Sequence, residues 1–250
     1  MKRQAISQIM QPLAPHEVSS HVKGIHGWLT EEEGTLLYHL AKKCRKGVIV
    51  EIGSWMGKST LWLGHGSRAG ANTPIYAIDP HTGCKDSEAL VGKKDTYSVF
   101  ITNIRRAELT DLVNPVVKTS ADAAKVFQQP VEMIFIDGAH EYDAVLEDFL
   151  LWFPKVVSGG YMVFHDVAWS DARAVFKQKV LKSRKFRHVR ILGNIGVAQK
   201  TTATPLLEYL RNHLYYQYLN IRDGFIHFAS RHFPKGIKDF GNRILLSQRS

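Results

Sequence analysis

The sequence predicts an α/β protein built on a doubly wound β-sheet of seven strands, most of them parallel. Short runs of β-branched and apolar residues alternate with helical patterns through the middle of the chain, at the spacing of strand–helix–strand units. The first run, GVIVEIG, has a continuous apolar character, as expected when helices cover both faces of a sheet. Two final runs around Gly193-Asn194 predict an antiparallel hairpin that adds the C-terminal strands.

The elements follow one another in a regular order. Parallel strands are predicted at GVIVEIG, PIYAID, NPVVKTS, VEMIFIDG and GGYMVFHDV, and the hairpin lies within FRHVRILGNIGVAQK. Helices are predicted at LLYHLAKKC, KSTLWLGHGSRA, SADAAKVFQQ and EYDAVLEDFLLWFPKVV. Thr30 and Glu33 form a capping box before the first helix, and Ser120 or Asp122 is expected to cap the third. The fourth helix places three apolar residues on one face: Val145, Phe149 and Trp152.

Three regions are expected along the chain. Residues 1–35 are predicted to form an N-terminal helical cap, residues 36–200 the main domain, and residues 201–250 a basic and aromatic helical extension. The spacing of the aromatic residues in the extension is typical of packed helices, which indicates core or dimer contact. A lid over a substrate and a basic amphipathic surface for lipid-linked substrates are the alternatives.

The composition is that of an ordinary globular protein, since 44% of the 250 residues are hydrophobic and 22% are charged. The cysteines, Cys44 and Cys84, lie far apart and indicate free thiols in a reducing compartment. The N-terminal residues contain no apolar run of signal length, and no later segment approaches a membrane span. We therefore expect a cytoplasmic protein without a transmembrane segment.

The formal net charge of +10 raises the question of nucleic-acid binding. The basic residues are dispersed, with local clusters at AKKCRKG and KQKVLKSRKFRHVR, and no nucleic-acid-binding motif accompanies them. The sequence therefore disfavours a nucleic-acid partner. A solvated basic face, or attraction to an acidic substrate or an anionic lipid surface, is favoured instead.

The loop after the first strand ends in GKST, as nucleotide-triphosphate loops do, but its spacing is different. The first glycine of such a loop would have to stand at position 52, which is Ile52, and Glu51 would repel a polyphosphate. Trp55 occupies the place of the second glycine of a dinucleotide-binding loop. The strand ends instead form a mainly acidic edge, which suits a ligand that is cationic, rich in hydroxyls or partnered by a metal: Glu51, Asp79, Ser120, Asp137, His165 and Asp166.

Four motifs on successive strands carry a family resemblance. EIGSWMGKST, AIDPHTG, FIDGAHEYDAV and GGYMVFHDV, in this order and spacing, resemble the class I S-adenosylmethionine-dependent methyltransferases. More narrowly, they resemble the small-molecule O-methyltransferase-like subgroup, over about residues 22 to 200. The resemblance implies a Rossmann-like fold, a methyltransferase activity and S-adenosyl-L-methionine as the cofactor.

The resemblance also implies a set of cofactor-binding residues: Glu51, Gly53, Ser54, Gly57, Ser59, Asp79, Ser120 and Asp137. Glu51 suits the ammonium group of the methionyl moiety, and Asp79 is expected to accept hydrogen bonds from the ribose hydroxyls. Ser59 and Thr60, at a helix start, are expected near the carboxylate, and Ser120 near the adenine edge. Structural alternatives remain, because Glu51 could cap a turn, Asp79 could open one, and Ser120 could only cap a helix.

A hydroxyl acceptor needs a general base or a cation, because a neutral alcohol is a poor nucleophile at pH 7. The resemblance extends to metal-dependent O-methyltransferases and places a divalent ion, Mg²⁺ or Mn²⁺, at Asp137, His165 and Asp166. An imidazole ligand suits Mn²⁺ better than Mg²⁺. The alternatives are that His165 is a general base oriented by a carboxylate, or that neither applies. His140 is a second candidate base, or a histidine that only bonds the backbone or Asp137 at a helix start.

We therefore expect an enzyme that methylates a hydroxyl of a small molecule or glycan, with homodimerisation and peripheral membrane contact through the extension as further expectations. The acceptor is expected to contact residues 1–35, 81–98, 168–186 and 201–250. The alternative is a non-catalytic module that binds nucleosides or nucleic acid on a methyltransferase fold. An NAD-linked oxidoreductase is disfavoured by the missing glycine and the closing hairpin.

Overall fold

A seven-stranded sheet organises the computed structural model, which describes residues 12–83, 95–168 and 171–232. The strand order is β3-β2-β1-β4-β5-β7-β6; strands β1 to β5 are parallel, and β7 runs antiparallel to both β5 and β6. The predicted doubly wound sheet with its C-terminal hairpin is therefore confirmed. The strands are β1 Val48–Ile52, β2 Ile75–Ile78, β3 Val113–Val116, β4 Val131–Ile136, β5 Val156–Phe164, β6 Phe186–Leu192 and β7 Ile195–Lys200.

Helices cover both faces of the sheet. In β1, Ile49 packs into one apolar cluster and Val50 into the other, which explains why this strand is apolar at successive positions. The predicted face of α6 is also confirmed, because Val145, Phe149 and Trp152 are buried. The described helices are α1 Pro15–Val22, α2 Glu31–Ala41, α3 Lys58–Arg68, α4 Thr96–Arg106, α5 Ser120–Val126, α6 Tyr142–Trp152, α7 Asp171–Val175 with a π-helical turn Phe176–Leu181, and α8 Leu206–His232.

Several local expectations were wrong. The cap of α5 is Thr119, whose hydroxyl accepts from the Asp122 backbone N–H at 3.1 Å, and not Ser120 or Asp122. Helix α4 was not predicted at all, and β5 begins at Val156 rather than at Gly159. Cys44 is a free, buried cysteine as expected. Cys84 and the rest of residues 84–94, as well as residues 233–250 of the extension, lie outside the described residues.

The capping box of α2 is present and reaches further than predicted. The Thr30 hydroxyl accepts from the Glu33 N–H at 3.3 Å, and Glu33 Oε2 accepts from the Thr30 N–H at 2.9 Å. The other oxygen, Glu33 Oε1, accepts from the Asn194 N–H at 2.7 Å. One carboxylate therefore joins the start of α2 to the turn of the β6–β7 hairpin.

In the part of the chain that the structure describes, no helix combines the length and the apolar character needed to cross a membrane.

Candidate cofactor and catalytic site

A cavity of about 890 Å³ lies at the carboxyl ends of the parallel strands. Ile52 at the end of β1 pairs with Ile78 of β2 on one side and Ile136 of β4 on the other, so the loops after three strands meet there. Strand order reverses at β1 and β4, and open α/β sheets bind ligands at such a point. The lining comes from residues 26–29, the loop after β1, the ends of β2, β4 and β5, and the starts of α5 and α6.

The loop after β1 requires glycine at its first bend. Gly53 has φ +85°, and a Cβ atom there would lie 2.1 Å from the backbone oxygen of Asp137. Gly57, with φ +91°, caps α3 and leaves 3.1 Å between a hypothetical Cβ and the Phe100 ring. Ser54 is buried on the cavity wall, and its hydroxyl has no hydrogen-bond partner among the described residues. The loop therefore presents close-packed backbone to the cavity and contains one buried hydroxyl without a partner in the described part of the chain.

Glu51 lies beneath this loop and is fully buried. Its Oε2 accepts from the Thr60 hydroxyl at 2.5 Å, while its Oε1 has no hydrogen-bond partner in the described part of the chain. Burial raises the pKa of Glu51 to about 7, although the nearby hydroxyls of Ser59 and Thr60 act in the opposite direction. Ser59 lines the cavity, whereas Glu51 is not among the described lining residues.

Asp79 follows β2 and holds two backbone segments at the cavity wall. Its Oδ2 accepts from the Trp55 N–H at 2.8 Å, and its Oδ1 accepts from the His81 N–H at 2.7 Å. Both oxygens can accept further hydrogen bonds, since an ionised carboxylate has about four acceptor positions. The turn-forming role and a ligand-binding role are therefore compatible.

The opposite wall contains a buried acid that the sequence analysis missed. Ser120 lines the cavity and its hydroxyl accepts from Trp152 Nε1 at 2.8 Å. Asp148 lies close by on α6, and burial raises its pKa to about 6. Its position in the sequence was the available signal, because it falls between Val145 and Trp152 on the apolar face of the helix.

A cluster of carboxylates and imidazoles closes the end of the cavity at β4 and β5. His165 Nδ1 lies 3.0 Å from Asp137 Oδ1 and 3.3 Å from Asp166 Oδ1, and its Nε2 lies 3.9 Å from Glu33 Oε2. His140 Nδ1 lies 3.0 Å from Asp166 Oδ2. Asp166 has φ +58°, which turns the chain sharply after β5.

Three residues of this cluster could hold a metal ion. One ligand atom each from Asp137, His140 and Asp166 lies within 4.8 Å of the others. This group contains His140 in place of His165, which the sequence analysis had included. Burial lowers the pKa of His165, but Asp137, Asp166 and Glu33 outweigh burial and raise it to about 12. Burial raises the pKa of Asp137, against the effect of His165.

The cavity mouth contains aromatic and basic residues that were not singled out from the sequence. The rings of Trp28 and Trp55 stack with centroids 5.3 Å apart and an interplanar angle of 16°. Lys58 Nζ donates to the Gly27 carbonyl at 2.8 Å. Trp28, Trp55 and Lys58 all line the cavity, which therefore combines an aromatic wall with an acidic end. All of the predicted site residues except Glu51, Gly57 and Thr60 line it.

Comparisons with known proteins agree with this geometry. Residues 50–167 match a family model described as a methyltransferase domain. Over 122 residues the chain is 29% identical to the uncharacterized protein R132 of Acanthamoeba polyphaga mimivirus, a match that spans 47% of this chain and half the length of that relative.

Solved structures with the same fold include O-methyltransferases and cofactor complexes. TomG, an O-methyltransferase from Streptomyces achromogenes in complex with S-adenosylmethionine, is 16% identical, with a TM-score of 0.54 over 75% of this chain and 87% of that chain. A Podospora anserina methyltransferase bound to S-adenosylhomocysteine is 12% identical, with a TM-score of 0.57 over 80% and 91% of the two chains. An O-methyltransferase from Bacillus cereus is 17% identical, with a TM-score of 0.52 over 74% and 90%.

Proposed function

We propose that the protein, whose residues 50–167 match a methyltransferase domain, transfers a methyl group from S-adenosylmethionine to a hydroxyl of a small molecule or sugar. The observation that carries the proposal is the cavity that joins the loop at Gly53 and Asp79 to the cluster of Asp137, His140 and Asp166. Its volume of about 890 Å³ leaves room for a nucleoside cofactor and an acceptor together. A cytoplasmic location and a homodimer remain expectations from the sequence.

The residues of the cavity fit S-adenosylmethionine, which supplies a methyl group on a positively charged sulfur when it is bound. Asp79 has acceptor positions left for the ribose hydroxyls, and Ser54, whose buried hydroxyl has no partner among the described residues, lines the region expected for the methionyl end. Ser120 and Asp148 offer polar atoms for the adenine edge. In this proposal Glu51 acts from beneath the loop, where a nearby ammonium group would favour its ionised form.

The acid and histidine cluster fits a divalent cation with two carboxylate ligands and one imidazole: Asp137, Asp166 and His140. A bound cation would lower the pKa of an acceptor hydroxyl and orient it. An imidazole ligand favours Mn²⁺ over Mg²⁺. The carboxylates of Asp137, Asp166 and Glu33 raise the pKa of His165, which favours hydrogen-bond donation by its imidazole over metal binding. We therefore assign it a positioning role, in which it donates to Asp137 and Asp166 and fixes their orientation.

His140 is the candidate general base if no cation takes part. Its side chain is 48% exposed and is oriented by Asp166 at 3.0 Å, so a substrate hydroxyl can approach its second ring nitrogen. The two versions differ in their response to a chelator. Removal of divalent ions abolishes turnover in the metal version and leaves it unchanged in the base version.

Isothermal titration of the full chain with S-adenosylhomocysteine tests the cofactor. We expect binding that Asp79→Asn weakens and that Asp111→Asn leaves unchanged. Asp111 is a suitable control because it is an exposed acid paired with Arg68. The absence of binding by the folded protein would refute the proposal. Binding without turnover on any hydroxyl acceptor, together with salt-dependent binding to DNA or RNA, would favour the non-catalytic alternative.

A further inference from the structure

Helix α8 packs on the protein through a face that combines apolar and polar side chains. Asn212 and Leu219 are buried, and Tyr216 packs against the same apolar cluster as the π-helical turn. Asp223, one turn further, pairs with Arg173 at 3.0 Å and with Lys177 at 2.9 Å. These contacts fix the rotation of the helix about its axis.

The opposite face of α8 is apolar and exposed. At 100° per residue its side chains fall within an arc of about 80°, centred roughly opposite to the packed face. Their exposed fractions lie between 47% and 80%. We call them the apolar stripe: Leu207, Leu210, Leu214, Tyr218, Ile221 and Phe225. The stripe runs along about 27 Å of helix. An amphipathic helix of a globular protein normally buries such a face, so this one is available for a partner.

The border of the stripe is basic. Arg211 is exposed beside it, whereas Arg222, on the same side of the helix, lies 3.6 Å from Asp223. Lys182 and Arg184 lie against the rings of Tyr216 and Tyr209 on the packed side of α8 and do not border the stripe. The two acids of the helix are engaged, since Glu208 Oε1 lies 3.2 Å from His188 and Asp223 is paired as described. The sequence that follows, 233–250, contains four lysines and arginines and one aspartate.

We propose that the apolar stripe of α8 docks on an anionic lipid surface, with its side chains among the acyl chains and Arg211 against the headgroup phosphates. A helix with one apolar face bordered by Lys and Arg lies in the plane of a membrane interface, and anionic lipids add to its binding. A second copy of the chain is a poorer partner, because each chain carries a formal net charge of +10 and two copies would repel each other. The proposal does not depend on the methyltransferase activity.

Flotation of the full chain with vesicles tests the proposal. We expect binding to vesicles of phosphatidylcholine mixed with phosphatidylglycerol and little binding to phosphatidylcholine alone. Higher salt should weaken the binding, because ions screen the headgroup charge. The double variant Leu214→Glu/Ile221→Glu should lower the partition coefficient by at least about tenfold, since burial of each apolar side chain contributes that much or more.

Two control variants make the result specific. Leu150→Glu and Val126→Glu change equally exposed apolar residues on α6 and α5, outside the stripe, and should bind vesicles like the unchanged chain. All variants should bind S-adenosylhomocysteine and unfold at the same temperature, because the altered side chains are exposed. Equal binding by all variants, or no binding to anionic vesicles, would overturn the proposal. A dimer in solution that only the stripe variant dissociates would assign the surface to a second copy instead.

Discussion

Replacement of Gly53 by alanine tests the close approach between the loop after β1 and the end of β4. At φ +85° an alanine is strained, at a cost of about 1–2 kcal/mol. Its Cβ would also lie 2.1 Å from the Asp137 oxygen and 2.6 Å from the Asp137 carbonyl carbon, far inside van der Waals contact. Because both partners are backbone, the loop and the strand end must separate, and such overpacking costs a further ~1–3 kcal/mol.

Gly159→Ala is a matched control for this change. Gly159 has the same φ of +85°, but nothing lies within 4 Å of a Cβ atom there. It should therefore cost only the conformational strain of about 1–2 kcal/mol and leave the cavity intact. The difference between the two variants isolates the steric contribution at Asp137.

Urea denaturation followed by tryptophan fluorescence measures the stabilities, and titration with S-adenosylhomocysteine measures the site. We expect Gly53→Ala to unfold at a clearly lower urea concentration than Gly159→Ala and to lose most of its ligand affinity. The reasoning is refuted if the two variants unfold at the same urea concentration and Gly53→Ala binds S-adenosylhomocysteine with the affinity of the unchanged protein.

Three further predictions concern acidic residues. Asp166→Asn should lower turnover by about 100-fold, whether its carboxylate holds a cation or orients His140, while the dissociation constant of S-adenosylhomocysteine stays within about threefold. Preserved turnover in the variant would contradict its role. Asp79→Ala should raise the dissociation constant of S-adenosylhomocysteine by about 10- to 100-fold, because a hydrogen bond to a charged group is lost. An unchanged constant in calorimetry would argue against a ribose contact. Burial raises the folded-state pKa of Glu51 from 4.5 to about 7, so its contribution to stability is present at acidic pH and lost as the pH rises through 7. Between pH 5 and pH 8 this group should lower the unfolding free energy of the unchanged protein by an amount on the order of 3 kcal/mol, as measured by urea denaturation, and Glu51→Gln should abolish this decrease. Parallel pH profiles of the two proteins would disprove the shift.

The strands of the sheet were predictable because their signal is local. A run such as VIVEI is apolar on both faces, and no distant contact is needed to interpret it. Helix α4 was missed because TYSVFITNIRR contains β-branched residues with low helix propensity. Its stability comes from burial of Phe100 and Ile104 and from the Asp95 cap, which are tertiary and terminal effects. Helix α8 continues through Asp223-Gly224, a turn-like pair, where Arg173 and Lys177 hold Asp223.

The positions of the site residues were predictable, but the directions of their side chains were not. Parallel strands end at one edge of a sheet, so Asp79, Asp137 and Asp166 were expected to meet there. Both His140 and His165 line the cavity, but which of them is grouped with the two aspartates depends on the turn after β5, where Asp166 adopts φ +58° and His165 Nε2 lies 3.9 Å from Glu33. Asp148 contacts the cavity only because α6 packs in one particular rotation.

The hydrogen bonds of Glu33 to both Thr30 and Asn194 have a consequence for folding during synthesis. One oxygen of its carboxylate accepts a hydrogen bond at the start of α2, within the same part of the chain. The other oxygen accepts from the N–H of Asn194, which is 161 residues later in the sequence. A nascent chain folds from its N-terminus, so β1 to β5 can assemble while the hairpin is still in the ribosome. Chains truncated before residue 194 would contain every predicted cofactor-binding residue but would lack β7. The edge of β5 would then be unpaired, and His165 would be less enclosed. Such fragments should be prone to pair through that edge with other chains.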